Sequence, residues 1–260
     1  MSAITQARAQ LTITWPLLPE DFLLPDDPVE NEDQPLLAAA LRQPLAVFPE
    51  LLQDALVVSN FALCAAIQGR IICKAPDWMY VRPVQPWQSS SRRSYTPHTE
   101  GGVPQVVMEF LSATYGEEYS VEFTQSVGKW FFYEQVIKVP NYVIFRPNTG
   151  HLEVYVLESE RYRLRTPDTE ERYWISELNL FLGIWEGNHE GRTGYWLRWW
   201  NAEGELLLWS EERAEQERQR AEQERQRAEQ ERQRAEQERQ RAEQLAKRLR
   251  QLGINPEEIE

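Results

Sequence analysis

The chain has 260 residues, 42% of them hydrophobic and 11% aromatic, with a formal net charge of −13. That composition supports a sizeable core and excludes fibrous, collagen-like and wholly disordered classes. Residues 211–260 hold 14 of the 41 acids and 12 of the 28 bases, so the acidity belongs to residues 1–210. A body this acidic is poorly suited to non-specific attachment to a polyanion, which needs Lys and Arg to neutralise phosphates.

In chain order, residues 1–34 read as an acidic arm. Between Arg8 and Arg42 stand seven acids and no base, with Pro16, Pro19, Pro25 and Pro28 among them. Such a segment repels itself and resists helix, although Trp15, Leu17, Leu18, Phe22 and Leu23 offer apolar pins. Met1–Leu24 carries no secretory signal, and the longest nearly apolar run, 55–67, is too short to span a bilayer. The expectation is a soluble, cytoplasmic protein with no membrane partner. Cys64 and Cys73, nine apart in an apolar stretch, show no CxxC or metal-ligand spacing and are expected as reduced, buried small side chains.

The pattern is helical from Pro35 to Ala55, interrupted at Pro44 and Pro49. Phe61–Ile67 and Ile71–Lys74 read as a hairpin about a QGR turn, with Trp78–Val81 as a short continuation. Residues 83–104 form a long proline- and serine-containing loop. Gln105–Leu111 is a strand of the kind buried on both faces. Ser126–Lys138 is the best helix of the body, and Asn141–Phe145 and His151–Leu157 are neighbouring strands. Tyr195–Trp200 and Glu205–Trp209 read as a hairpin about NAEG. The expected domain, 35–210, is mixed α/β around one sheet.

Residues 213–240 repeat RAEQERQ four times, followed by RAEQ once more. Arg213 with Glu217 and Arg218 with Glu222 are i,i+4 pairs, and Glu215 with Arg218 is i,i+3. Ala is the lone apolar residue per heptad, too little for a coiled-coil seam. Residues 211–260 therefore read as a solvated helix, with a self-associating coil and hence a homodimer as the alternative.

Chemistry narrows by elimination. There are three histidines, no GxSxG, no Walker loop and no GxGxxG. What remain are carboxylates at strand positions. Asp77 follows Pro76 at the start of an apolar strand, where alone it reads as a turn residue. Glu109 stands within QVVMEFL, where a carboxylate needs a cation or a hydrogen-bond network. Lys129 opens the helix that follows. Together these residues can hold Mg²⁺ or Mn²⁺ through Asp77, Glu109 and the carbonyl of Phe110. Lys129 would then stand beside an attacked phosphate. Arg92 and Arg93, an adjacent basic pair in the long loop, are weaker candidates for a phosphate contact.

The set KAPDW, VVMEFLS, GKWFFYEQ, VPNYVIFRP, LGIWEG and GYWLRWW, with a RAEQ-type tail ending LGINPEE, resembles the Uma-type restriction-endonuclease family of the PD-(D/E)xK superfamily. The resemblance covers about residues 50–260 and leaves the acidic arm outside. It implies a restriction-endonuclease-like mixed sheet flanked by helices, with extra antiparallel hairpins and a long C-terminal charged helix. It also implies metal-dependent cleavage of nucleic acid, with DNA expected, by Asp77, Glu109 and Lys129. Leu111 stands where the superfamily pattern has its lysine, and Lys129 is taken to replace it. The rivals are a non-enzymatic aromatic-rich binding or scaffold protein whose tail spaces or pairs subunits, and a carbohydrate-binding sandwich. The latter needs at least three of the ten tryptophans exposed on one face; the aromatic residues are expected in the core instead.

Overall fold

The protein is described by a computed structural model that covers residues 12–16, 32–87, 91–111 and 127–251. The chain divides into two compact units, Met1–Leu207 and Leu208–Glu260. Most of the acidic arm and the LGINPEEIE end lie outside the described residues.

The first unit is mixed α/β. Helix α1 (Asp33–Arg42) runs into a 3₁₀ turn (Gln43–Val47) and a short α2 (Pro49–Leu52), with Pro44 and Pro49 each in the first turn of the segment it opens. Proline tolerates only that position, so the expected interruptions become restarts. A six-stranded sheet follows, built from β2 (Leu56–Val58), β5 (Trp78–Val81), β7 (Pro104–Phe110), β8 (Asn141–Arg146), β9 (His151–Glu158) and β10 (Arg161–Leu164). Its order is β10-β9-β8-β7-β5-β2. Every pairing is antiparallel except β7 with β8, which run parallel in register Glu109↔Ile144 and Phe110↔Phe145.

A parallel pair needs a crossover, and this one carries the expected helix in altered form. Helix α3 spans only Lys129–Phe131 and continues as a π-helical turn, Phe132–Ile137. It ends at Lys138, which is left-handed at φ 62, two residues before Pro140. The aromatic side chains of the segment pack on one face of the sheet. Trp130 meets Tyr155 at 4.7 Å, Tyr162 at 5.4 Å and Tyr142 at 5.7 Å between ring centroids, all edge-on. That is the arrangement ring quadrupoles favour.

A second sheet joins β1 (Ile13–Thr14), β3 (Ala62–Ile67) and β4 (Arg70–Lys74), with β6 (Ser94–Tyr95) parallel to β3. The β3–β4 turn is Gln68–Gly69, at φ 50 and 78, the positive angles a two-residue hairpin requires. Its register sets Cys64 opposite Cys73, with Cα atoms 4.2 Å apart, and the two are disulfide-bonded. The expectation of two reduced thiols is corrected: residues equidistant from a two-residue turn face each other, and this is a closely spaced, non-hydrogen-bonded pair. Strand β5 does not continue this hairpin. Pro76 has no N–H to carry a ladder, and the chain passes into the six-stranded sheet.

The third sheet is β11 (Tyr173–Ile175), β12 (Leu180–His189) and β13 (Arg192–Trp200). The expected partner of the 195–200 strand was 205–209. Its partner is instead β12, across a Glu190–Gly191 turn at φ 48 and 80, and only one bridge, Trp200↔Leu206, forms beyond NAEG. Strand β13 holds α1: Trp199 Nε1 donates to the Leu41 carbonyl at 3.0 Å, and Arg192 Nε meets Asp33 Oδ2 at 3.0 Å. Trp78, Trp196 and Trp199 are fully buried, and of the ten tryptophans Trp87 alone is exposed. An aromatic stacking face of three tryptophans is absent among the described residues.

The second unit is α4 (Ser210–Gln251), 42 residues and about 63 Å at 1.5 Å each. Its repeat is laced by Glu215–Arg218 at 2.6 Å, Arg220–Glu224 at 3.5 Å and Arg239–Glu243 at 3.4 Å. The i,i+4 bonds from Gln219 to Glu215 and from Gln226 to Glu222 are an addition to the expected pairs. No helix among the described residues is long and apolar enough to cross a membrane.

Candidate active site

Asp77 and Glu109 are brought together by strand register. Trp78 pairs with Met108 and Met79 with Val107. One step further along the same ladder sets Asp77 opposite Glu109, with both side chains on the same face. Asp77 Oδ2 accepts the N–H of Phe110 at 2.5 Å, which ties its carboxylate to the end of β7.

Glu109 is 1% exposed. Its two oxygens are divided between side chains of the following helix: Lys129 Nζ lies 2.8 Å from Oε2, and Tyr133 Oη donates to Oε1 at 2.9 Å. Burial pushes the Glu109 carboxyl up to about 8, against the lowering pull of Lys129 and with a further rise from Asp77. A second cation would reverse that balance, because an opposite charge stabilises the ionised form. The Tyr133 hydroxyl is pushed well above its ordinary range, first by burial and then by Glu109, so it stays a donor.

Lys129 therefore reaches the carboxylate from the helix, while Leu111, two residues beyond Glu109, is buried among apolar neighbours. The helical lysine reaches the acid by folding back 20 residues later in sequence.

Gln34, in the first turn of α1, also enters the site. Its Nε2 donates to Asp77 Oδ2 at 3.4 Å and to the Phe110 carbonyl at 3.1 Å. Sequence reasoning missed it: a neutral amide at the end of a run of acids, assigned to the arm, carries no signal of its own.

Arg92 is engaged inside its loop. Its Nε lies 3.5 Å from Glu100 Oε1, both side chains being almost fully buried, and its guanidinium covers the Trp87 ring at 4.7 Å. Arg93 is exposed beside it. The histidines lie elsewhere: His98 packs on Trp15, His151 meets Glu153 at 3.0 Å, and His189 packs on Trp196. No group of three His, Cys, Asp or Glu suited to a metal occurs among the described residues.

The donor set at the β5 and β7 ends is two carboxylates and a main-chain carbonyl, all hard oxygens. That set fits Mg²⁺ or Mn²⁺, which bind through one or two carboxylates and keep several waters, and it does not fit a thiolate- or imidazole-seeking metal.

A mixed sheet whose adjacent strand ends carry two carboxylates, with a lysine supplied by the next helix, is the layout expected of a restriction-endonuclease-like protein. The chain matches the Uma2 family, described as "Putative restriction endonuclease", over residues 25–187, and it belongs to that family. The match starts upstream of the expected residue 50 and takes in α1 and Gln34; it ends within β12, before β13 and the charged helix. None of the curated proteins compared matches the chain.

Proposed function

We propose that the protein is a Mg²⁺- or Mn²⁺-dependent endonuclease that hydrolyses phosphodiester bonds of nucleic acid, with DNA as the first substrate to test. The observation that carries this reading is the 2.8 Å approach of Lys129 to Glu109. It rebuilds, from a helix, the acid–lysine pair that Leu111 denies to the strand.

Asp77, Glu109 and the Phe110 carbonyl would hold the cation, which supplies an acidified water and charge neutralisation at the phosphate. The protein's own groups do the rest. Tyr133 fixes one oxygen of Glu109 and so its rotamer. Lys129, seated on the other oxygen, is placed to hold a water or a non-bridging phosphate oxygen as negative charge builds. With so few bases in the body, affinity for DNA should arise from a small number of phosphate contacts, and its salt dependence should be shallow.

The test is nicking of supercoiled DNA, with an RNA control, in Mg²⁺ or Mn²⁺ and in chelator. Metal-dependent nicking by the wild type that disappears in Asp77→Ala is the expected result. A wild type that cleaves neither polymer with either metal sinks the reading.

A further inference from the structure

We propose that Gln34 is a third side-chain ligand of the divalent cation at this site, binding through Oε1 after its amide turns over. The inference rests on the metal-dependent reading above and extends it to a residue on a different element.

The argument is geometric. The two atoms to which Gln34 Nε2 donates, Asp77 Oδ2 and the Phe110 carbonyl, belong to two of the three groups assigned to the ion. Neighbouring ligand oxygens on an octahedral Mg²⁺ shell, each about 2.1 Å from the ion, lie about 3.0 Å from one another. The Gln34 amide head stands 3.1 and 3.4 Å from those oxygens. It thus occupies the place of an adjacent ligand, not that of the ion. Without a cation, the two acceptors call for a donor, and the NH₂ end faces them. With a cation between them they turn their lone pairs to it, and the same amide, rotated half a turn, presents an oxygen of nearly equal size.

The support is rigid. Gln34 follows Asp33, which Arg192 of β13 holds at 3.0 Å, and α1 is fastened further along by Trp199 on the Leu41 carbonyl. The amide is delivered from a helix whose position the third sheet sets, so its reach does not depend on a loop. A neutral ligand also suits the charge balance: a third carboxylate here would repel Asp77 and Glu109 whenever the ion is absent.

The test is calorimetric titration of Mn²⁺ into the full-length wild type, Gln34→Ala, Gln34→Glu and Asp77→Ala, with thermal melts of each with and without metal. The expected results are a loss of about tenfold or more in affinity for Gln34→Ala and wild-type or tighter binding for Gln34→Glu. Gln34→Glu should also melt lower than wild type in chelator and gain more from Mn²⁺. If Gln34→Ala does not fold, Gln34→Glu decides alone, and an equal Mn²⁺ gain in it and the wild type overturns the inference. If Gln34→Ala binds as wild type while Asp77→Ala does not, the ion site stands and Gln34 is no ligand. If the wild type itself binds no Mn²⁺, the metal-dependent reading fails first and this inference fails with it.

Discussion

Glu109 and Glu134 are both buried glutamates on the same side of the molecule's main sheet, and they are solvated by the protein in different ways. Glu134 accepts the N–H of Tyr162 at 2.7 Å, the Arg161 guanidinium at 3.0 Å and the Gln135 amide at 2.8 Å. Its oxygens are filled by donors, one of them main chain, and its work is to hold β10 to the π-helical turn. Glu109 has two side-chain donors and faces another carboxylate. A carboxylate saturated by donors is a structural clasp. One that faces another carboxylate is the group that the proposed function gives a second cation beside Lys129.

Exchanging the two roles is the strongest way to break that contrast. Glu109→Gln should lower nicking by about 10²–10³-fold or more. Its metal-free melting temperature near pH 7 should stay close to that of the wild type, because a carboxyl pushed up to about 8 is already largely protonated there and the amide has its shape. Glu134→Ala should do the reverse, costing about 2 kcal/mol of stability by orphaning the Tyr162 N–H and freeing Arg161, with activity per folded molecule retained. Urea unfolding and single-turnover nicking, run side by side, decide it; crossed results would dissolve the distinction.

Lys129→Met sharpens the same comparison from the cation's side. It should cost about 10²-fold in rate with little change in Mn²⁺ affinity, since the lysine is assigned to water or phosphate and not to the ion. A variant that cleaves at the wild-type rate removes Lys129 from the chemistry. Asp33→Ala is expected to act at a distance. Losing the Arg192 pair should cost about 1 kcal/mol and loosen Gln34, seen as weaker Mn²⁺ binding without loss of Asp77-dependent binding.

The smallest expected effect concerns Glu100 in the long loop. Burial raises its carboxyl, against the pull of the Thr96 N–H and of Arg92. The folded state then holds this proton more readily than the unfolded chain. Its contribution to stability is complete below the ordinary value of 4.5 and is lost as pH rises through the raised one. Glu100→Gln should flatten the part of the stability profile that falls as pH rises above 4.5. A profile identical to the wild type would show that Arg92 cancels the burial.

Much of the site was legible in sequence because its chemistry is expensive. A glutamate within an apolar strand, an aspartate after a proline and a lysine opening the next helix each stand out against what surrounds them. Gln34 did not, since an amide in an acidic stretch costs nothing. Four strands of the six-stranded sheet, β5, β7, β8 and β9, were read from their β-branched and apolar runs; the edge strands β2 and β10, three and four residues long, were not. The Trp78–Val81 strand was assigned to the wrong sheet, because which ladder a four-residue strand joins is settled by long-range pairing. Strand β12 escaped because Gly183 and Gly187 interrupt its apolar alternation. The disulfide was recoverable: counting equal steps outward from Gln68–Gly69 reaches Cys64 and Cys73 together.

The parallel pairing of β7 with β8 has a consequence for how the protein comes into being. Phe110 and Phe145 end side by side only after the intervening crossover has returned across the sheet, and the Leu111 N–H then donates to the Phe145 carbonyl at 2.8 Å. Contacts of this sequence separation form late and slowly. Gln34, Asp77, Glu109 and Lys129 come from four separate segments, so no fragment of the nascent chain can assemble them early. A site built this way stays incomplete on the emerging chain until the strands of the six-stranded sheet have paired.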